Sequence, residues 1–290
     1  MGDLKGHAIP GSFFLLYGLW CAVGCLRKYF ISRRQGQAYV TTATHKLSCC
    51  PGKVSRLPVE PTVKVLLSAG GLMGELLAHL PVPPMGIVQH ATMYLFFLLS
   101  GVTDLGVHFG LPLPHGTDFI SLVLALLIEG LLFASHVHGR PELDVQLHML
   151  LVYVIFTTAV VIALEIKFSN SALLSMARAY LMMLQGSWFW AVGVILYAHG
   201  EPNTAWALDN PESSMQAAIY FSWHCAGHVI VLLVLTALMS LCYRKQGEST
   251  LHMELNSLEP EVNSSKEGYG ILAWTDADDD SDEVLRQAMM

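Results

Sequence analysis

The stretch Glu129–Leu151, EGLLFASHVHGRPELDVQLHMLL, decides the fold. An apolar segment that contains Glu129 ends near His136 and His138, and a second apolar segment begins near His148. Two apolar segments joined by so short a turn are antiparallel neighbours. The stretch therefore brings three histidines and a carboxylate to one edge of a membrane.

The polar turn inside this stretch fixes where the first helix stops. Proline at position 141 cannot continue a helix, and it disfavours helical geometry at Arg140 before it. Asp144 follows and is of a residue type that caps helix N-termini, so we expect it to be the N-cap of the second helix.

The composition places the chain in a membrane. Of its 290 residues, 53% are hydrophobic and 13% are charged, whereas a soluble domain carries roughly 25% charged residues. The 16 lysines and arginines are spread over this apolar chain, which excludes the basic patch that nucleic-acid binding needs. Membrane lipid is the partner that this composition implies.

The apolar runs predict an all-α, seven-transmembrane-helix bundle. A bilayer core needs about 20 apolar residues per helix, and seven segments of the sequence meet that need. The predicted spans are residues 8–27, 62–81, 87–107, 118–138, 147–167, 178–197 and 222–243. We expect residues 1–246 to form the transmembrane domain.

The distribution of basic residues predicts the orientation. With the N-terminus outside or lumenal, all of the 16 lysines and arginines except Lys5 and Arg140 fall on the cytosolic side. An excess of Lys and Arg on cytosolic loops is the rule for membrane proteins. The C-terminus is then cytosolic.

Residues 247–290 are predicted to be a disordered, acidic cytosolic tail, because they are too polar to bury a core of their own. Within them, Tyr269-Gly270-Ile271-Leu272 fits a tyrosine-x-x-bulky-apolar pattern. Such a segment binds as an extended peptide. Tyr269 and Leu272 are therefore candidate sorting-signal residues for a cytosolic adaptor.

Several histidines fall at one depth, near the outer edge of the predicted bundle. Ionisable residues at membrane depth are costly and point to a functional site, and imidazole is a ligand for zinc, copper, iron and nickel. The candidate metal ligands are His90, His136, His138, His148 and His224. Zinc is the favoured metal. The alternatives are a haem between two facing histidines, or histidines that only stabilise the membrane interface.

Three classes of function stay open at this stage. In a metal-dependent hydrolase of lipid-like substrates, Glu129 or Asp144 is the candidate catalytic carboxylate that moves the proton. In a proton-coupled transporter, Glu75, Glu129 and Asp104 lie along a path. In the third class the protein is a trafficking or structural protein without chemistry. The sequence does not decide whether the protein is an enzyme, and it gives no oligomeric state.

A set of motifs distributed along the whole membrane region resembles the transmembrane protein 45 family. These motifs are Lys5–Phe14, Gln89–Phe97, Glu129–Gly130, His136–Pro141, Leu143–His148, Leu184–Trp190 and Trp223–His224. The resemblance implies seven spans and residence in Golgi, endosomal, lysosomal or plasma membranes. It brings no settled molecular activity with it.

Overall fold

The computed structural model describes residues 4–46, 57–135, 137–198, 206–208 and 210–267, with side chains as far as residue 245. Within these ranges the chain forms seven α-helices and no strand. The helices are α1 (Leu4–Arg34), α2 (Val59–Ala78), α3 (Met85–His108), α4 (Thr117–Ser135), α5 (Glu142–Lys167), α6 (Ala172–Tyr197) and α7 (Pro211–Glu267).

Six of these helices are long and apolar enough to cross a membrane, which confirms an all-α polytopic membrane protein. The exception in the described ranges is α2, whose 20 residues include Glu60, Lys64 and Glu75. The predicted number of seven spans and the predicted orientation stay predictions. Five of the predicted spans lie inside the observed helices, whereas residues 62–81 run past Ala78 and residues 118–138 run past Ser135.

The chain divides into two units, Met1–Ser240 and Leu241–Met290. The first unit contains α1 to α6 and the first part of α7. In the second unit the helix α7 continues to Glu267, and the candidate sorting residues Tyr269 and Leu272 lie outside the described residues. The tail of residues 247–290 therefore stays a prediction.

The first six helices form an open ring. Contacts join α2 to α3, α3 to α4, α4 to α5, α5 to α6 and α6 to α1. In the described ranges no comparable contact between helix backbones joins α1 to α2. The ring therefore has a gap between α1 and α2.

The closest helix crossing of the ring is between α1 and α6. A Cβ atom added at Gly186 would collide with the backbone of Leu15, and one added at Gly18 would lie 2.6 Å from the Met183 nitrogen. Small residues let membrane helices approach this closely. The α1–α6 pair is thus a rigid wall of the bundle.

The segment 36–46 covers one end of the ring, which we call the loop end. The Arg178 guanidinium of α6 donates to the carbonyl oxygens of Thr42 (2.9 Å) and Ala43 (3.1 Å). The Thr41 amide donates to the carbonyl of Ser169 at 2.7 Å. The opposite end, which carries the turn between α4 and α5, is the histidine end.

Helix α7 packs on the outside of α6. The Tyr180 hydroxyl donates to the Cys225 carbonyl at 3.3 Å, and the Trp188 and Phe221 rings lie edge to face with centroids 5.0 Å apart. Much of the remaining surface of α7 is apolar and exposed, as at Leu233 and Ile230. A helix with such a surface faces lipid.

Candidate functional site

The gap in the ring is a lateral cleft of about 930 Å³ between α1 on one side and α2 and α3 on the other. Its walls are mostly apolar and include Phe13, Met93 and Phe97. Ile9 and Leu16 on one rim are 66% and 67% exposed. An apolar cleft with exposed rims is open to the hydrocarbon of a membrane.

The loop end of the cleft is closed by polar contacts. The Trp20 indole N–H of α1 donates to Glu60 Oε2 of α2 at 2.8 Å. One turn further along α2, Lys64 Nζ lies 2.9 Å from Asp104 Oδ2 and 2.7 Å from Ser100 Oγ, both on α3. These contacts attach the charged helix α2 to the rest of the bundle, and they stop the cleft at that end.

Glu129 is a buried carboxyl group on the wall of the cleft, one helical turn from the histidine pocket. Its residue surface is 3% exposed, and both carboxyl oxygens lie 3.1 Å from Nε2 of Gln185 on α6. Phe133, one helical turn away on α4, also lines the cleft. The first candidate catalytic carboxylate therefore faces the cleft.

A second cavity of about 310 Å³, the histidine pocket, lies at the histidine end. Four histidines line it, contributed by four different helices or helix ends: His7, His79, His90 and His148. It shares several lining residues with the cleft, including Gly6, Glu75 and Tyr94. The apolar cleft and the polar histidine pocket are thus adjacent and share part of their walls.

Asp144 lies behind the histidine pocket and connects two of its residues. Its carboxylate accepts from Arg140 Nη1 at 3.1 and 3.2 Å, and Oδ1 lies 2.7 Å from His148 Nδ1. The His148 ring is 5.7 Å from the His7 ring, edge to face. The predicted N-cap role of Asp144 is wrong: α5 begins at Glu142 after Pro141, and its N-cap makes no side-chain hydrogen bond.

Glu75 organises the opposite wall of the pocket. His90 Nδ1 lies 3.5 Å from Glu75 Oε1. His79 Nδ1 lies 2.9 Å from the Glu75 backbone carbonyl, a contact in which the imidazole N–H is the donor. Glu75 of α2 and Asp144 of α5 therefore hold imidazoles from two sides of one space.

The structure brings together two of the predicted metal ligands, His90 and His148. His138 is exposed on the α4–α5 turn, and His136 lies outside the described residues. His224 lies elsewhere: its Nδ1 is 3.0 Å from Ser187 Oγ, and its ring packs on Trp188. In the described part of the chain, no group of three or more His, Cys, Asp or Glu side chains is arranged to hold a metal ion. Metal binding stays a prediction.

Sequence reasoning missed His7 and His79 as members of the candidate site. Both lie at the depth of the chosen histidines, at the start of α1 and just after α2. Their depth was visible in the sequence, but the side of each helix that faces the ring was not. The carboxylate of Asp144, the second candidate catalytic residue, is already bound to Arg140 and His148.

Comparison with known proteins finds relatives along the whole chain. Residues 115–237 match the model of a family described as "Family of unknown function (DUF716)". Transmembrane epididymal protein 1 of Rattus norvegicus is 26% identical, with 98% of this chain and 96% of that protein covered.

Two further relatives have similar names. Transmembrane epididymal protein 1A of Mus musculus is also 26% identical, over 98% of this chain and 96% of that protein. Transmembrane epididymal protein 1 of Homo sapiens is 30% identical over 53% of this chain and 57% of that protein. The chain is a multi-pass membrane protein with relatives that are themselves named as transmembrane proteins, and the matched family has no assigned activity.

Proposed function

We propose that this protein binds one amphipathic lipid, with its apolar chain in the cleft and its polar end in the histidine pocket. The observation that supports this most directly is that the two cavities adjoin and share the wall residues Gly6, Glu75 and Tyr94. An apolar space that is open to the bilayer and ends at a few convergent polar groups fits a molecule with the same division.

The dimensions of the cleft agree with a lipid chain. The residues of α1 that line it run from Gly6 to Trp20, which is about 21 Å at 1.5 Å per residue. Its volume of about 930 Å³ lies in the usual range of ligand pockets, roughly 300–1,000 Å³. A single acyl chain can lie along α1 within these limits.

The charges of the histidine pocket suit a polar head group. Lys5 and Arg140 line it together with the four imidazoles, and Glu75 is the carboxylate on its wall. The imidazoles carry both donors and acceptors. A head group with several oxygen atoms therefore finds partners on every side.

The cleft can be tested by filling it. Gly74 lines the cleft, and a Cβ atom added there meets no atom within 4 Å. We expect Gly74→Phe to cut labelling by a photoreactive, radiolabelled fatty-acid or lysolipid probe at least fivefold, with the protein still folded. Gly227→Phe on α7 is the matched control, because a Cβ atom there also meets no atom and Gly227 is not among the residues that line the cleft.

Two results would contradict the proposal. One is equal labelling of the wild type and Gly74→Phe. The other is labelled peptides that map to the lipid-facing side of α7 instead of α1, α2 and α3. Labelling of the protein by both the fatty-acid probe and the lysolipid probe would show that the acyl chain is recognised more than the head group. Labelling by one probe alone would identify the head group.

A metal in the histidine pocket is the second candidate: four imidazoles line this small cavity, and they would have to turn towards one another to bind the ion. Metal-assisted hydrolysis of a bound lipid would then use the cleft as its substrate site. Metal analysis of protein purified without chelators tests this: stoichiometric zinc that is lost in both His90→Ala and His148→Ala supports the metal. If the wild-type protein contains no zinc and still binds the lipid probe, the metal hypothesis is rejected and lipid binding is retained.

We further propose that the chain is a member of the transmembrane protein 45 family and resides in Golgi or endosomal membranes. The motifs named above support this assignment, and Tyr269 and Leu272 would supply the sorting signal. With Tyr269→Ala we expect a shift towards the plasma membrane and slower uptake of surface-labelled protein. An unchanged distribution, both in this variant and in a chain truncated after Gly247, would remove the sorting role.

A further inference from the structure

Glu129 is a buried acid without a cation. Its carboxyl group contacts Gln185 Nε2, and no ion pair in the described ranges reaches it. It projects into a cleft whose other walls are mostly apolar. An isolated carboxylate in such surroundings is very costly, and the group takes up a proton instead.

The amide that faces Glu129 has the complementary defect. Gln185 is fully buried, and its Oε1 has no hydrogen-bond partner, although its Nε2 is shared between two oxygens. A buried acceptor without a donor is destabilising, because it has lost its hydrogen bond to water. A charged carboxylate cannot remove this defect, because it has no proton to donate.

A neutral carboxylic acid removes both defects at once. It has one O–H donor and one carbonyl acceptor, so it can pair with the amide through two hydrogen bonds, acid O–H to Gln185 Oε1 and Gln185 Nε2–H to the acid carbonyl. The required change is a rotation of the Gln185 amide plane about its terminal torsion, which has a broad, shallow energy profile.

This pairing decides what Glu129 offers to a molecule in the cleft. The single O–H of the acid is used by Gln185, so the side of the carboxyl group that lines the cleft presents oxygen lone pairs only. Glu129 lies one helical turn, about 6 Å along α4, from Phe133, which lines the histidine pocket and stacks on His148 at 6.2 Å. The acceptor is therefore placed just below the polar end of the space.

We propose that the protonated Glu129–Gln185 pair is a specificity site for lipids that carry a hydrogen-bond donor, an amide N–H or a hydroxyl, about one helical turn below the head group. The inference rests on the proposed lipid-binding function and names the ligand class for the same cleft. An N-acyl amide satisfies the acceptor, whereas the ester with the same atoms in the chain places an oxygen lone pair against it.

The test compares an N-acyl amide with its matched O-acyl ester as competitors of the photoreactive probe. In the wild type we expect the amide to compete three- to tenfold better, the range that a single neutral hydrogen bond gives. In Glu129→Leu the two should compete equally. In Glu129→Gln, which keeps a carbonyl acceptor and an amide partner for Gln185, the preference for the amide should persist.

The protonation state has its own readout. Dicyclohexylcarbodiimide reacts with protonated carboxyl groups in apolar surroundings, so we expect mass spectrometry to find the adduct on Glu129 and to find it reduced when the amide lipid fills the cleft. Asp144, charge-paired with Arg140, is the internal control and should stay unmodified.

The outcomes separate this inference from the proposed function. Equal competition by amide and ester in the wild type, or an unmodified Glu129, overturns the inference and leaves lipid binding in place. Displacement of the probe by neither lipid overturns both. Equal amide preference in wild type and Glu129→Leu assigns the specificity to another residue and also overturns the inference.

Discussion

Arg178 of α6 and Glu165 of α5 face each other with no exposed surface on either side chain, and Nε lies 3.0 Å from Oε2. The contact is an ion pair by distance, without the angle of a hydrogen bond. Arg178 also donates to two carbonyls of the segment 36–46. One cation thus joins two helices and the cover of the loop end.

Removing one partner of this pair should be severe. Glu165→Gln leaves the guanidinium buried without its counter-charge, which typically costs about 3–5 kcal/mol. We expect a corresponding fall in the unfolding free energy in detergent micelles, whereas Lys167→Gln, an exposed position on the same helix, should change it by less than about 0.5 kcal/mol. Equal effects of the two substitutions would show that the pair does not hold the loop end together.

The Lys64–Asp104 pair should act more locally, because it joins α2 to α3. With Lys64→Met, Asp104 is left buried and unpaired, and we expect amide exchange in α2 to rise at least tenfold while α5 and α6 stay protected. The double variant Lys64→Met/Asp104→Leu should recover much of the protection, since a buried pair is often replaceable by apolar residues. No recovery would mean that the charge itself is needed.

The helices of this protein could be predicted from its sequence, but these two ion pairs could not. The helices follow from the length of apolar runs, and six of them were predictable from composition alone. Lys64 and Arg178 were counted only as inner-side charges, yet they are 5% and 0% exposed and pair with acids on the adjacent helices α3 and α5. Such a pair forms only where the two side chains face each other, and the facing side of an apolar helix is not contained in its local pattern.

The histidine site has the same explanation. A depth can be counted along each helix, so the equal depth of His90 and His148 was visible in the sequence. The facing direction was not, because lipid and protein interior are both apolar and a membrane helix lacks the polar stripe that orients a soluble one. His224 has a comparable predicted depth but lies against Ser187 and Trp188 at the α6–α7 contact.

The predicted orientation can be tested at the one N-x-[ST] sequence in the chain, Asn263-Ser264-Ser265. A cytosolic tail never meets the glycosylation machinery, which works in the lumen. We expect no mobility shift on glycosidase treatment of the wild type, and a shift when an extension that carries the same sequence is added before Met1. A glycan that disappears with Asn263→Gln would reverse the orientation.

His45 predicts a loss of stability in acid. Burial lowers its pKa to about 3, with Arg178 and Lys28 acting in the same direction, whereas the unfolded chain has a value near 6.5. As the pH falls below about 6.5, the His45 imidazole therefore takes up a proton in the unfolded state but stays neutral in the folded state. The stabilisation that exists above that pH is lost progressively down to about pH 3.

The size of this effect can be measured against a variant. Because His45 is half-buried, we expect a loss on the order of 1 kcal/mol between pH 7.5 and pH 5 from this group. In His45→Gln the pH dependence of the unfolding midpoint should be smaller by that amount. His108, exposed at the end of α3, is the control, and His108→Gln should keep the wild-type pH dependence. Identical pH profiles for His45→Gln and the wild type would contradict the assignment.

Two neighbouring glycines of α2 should respond to alanine in opposite ways. A Cβ atom at Gly70 meets nothing within 4 Å, so Gly70→Ala gains up to about 1 kcal/mol from helix propensity. At Gly71 the same atom collides with the Tyr94 ring. Relieving that collision moves Tyr94, which lines both cavities, and overpacking of this kind costs about 1–3 kcal/mol. Unfolding midpoints should separate the two variants, and lipid-probe labelling should fall in Gly71→Ala alone. If both variants match the wild type in stability and labelling, then α2 can shift without cost, and the cleft has no fixed wall on that side.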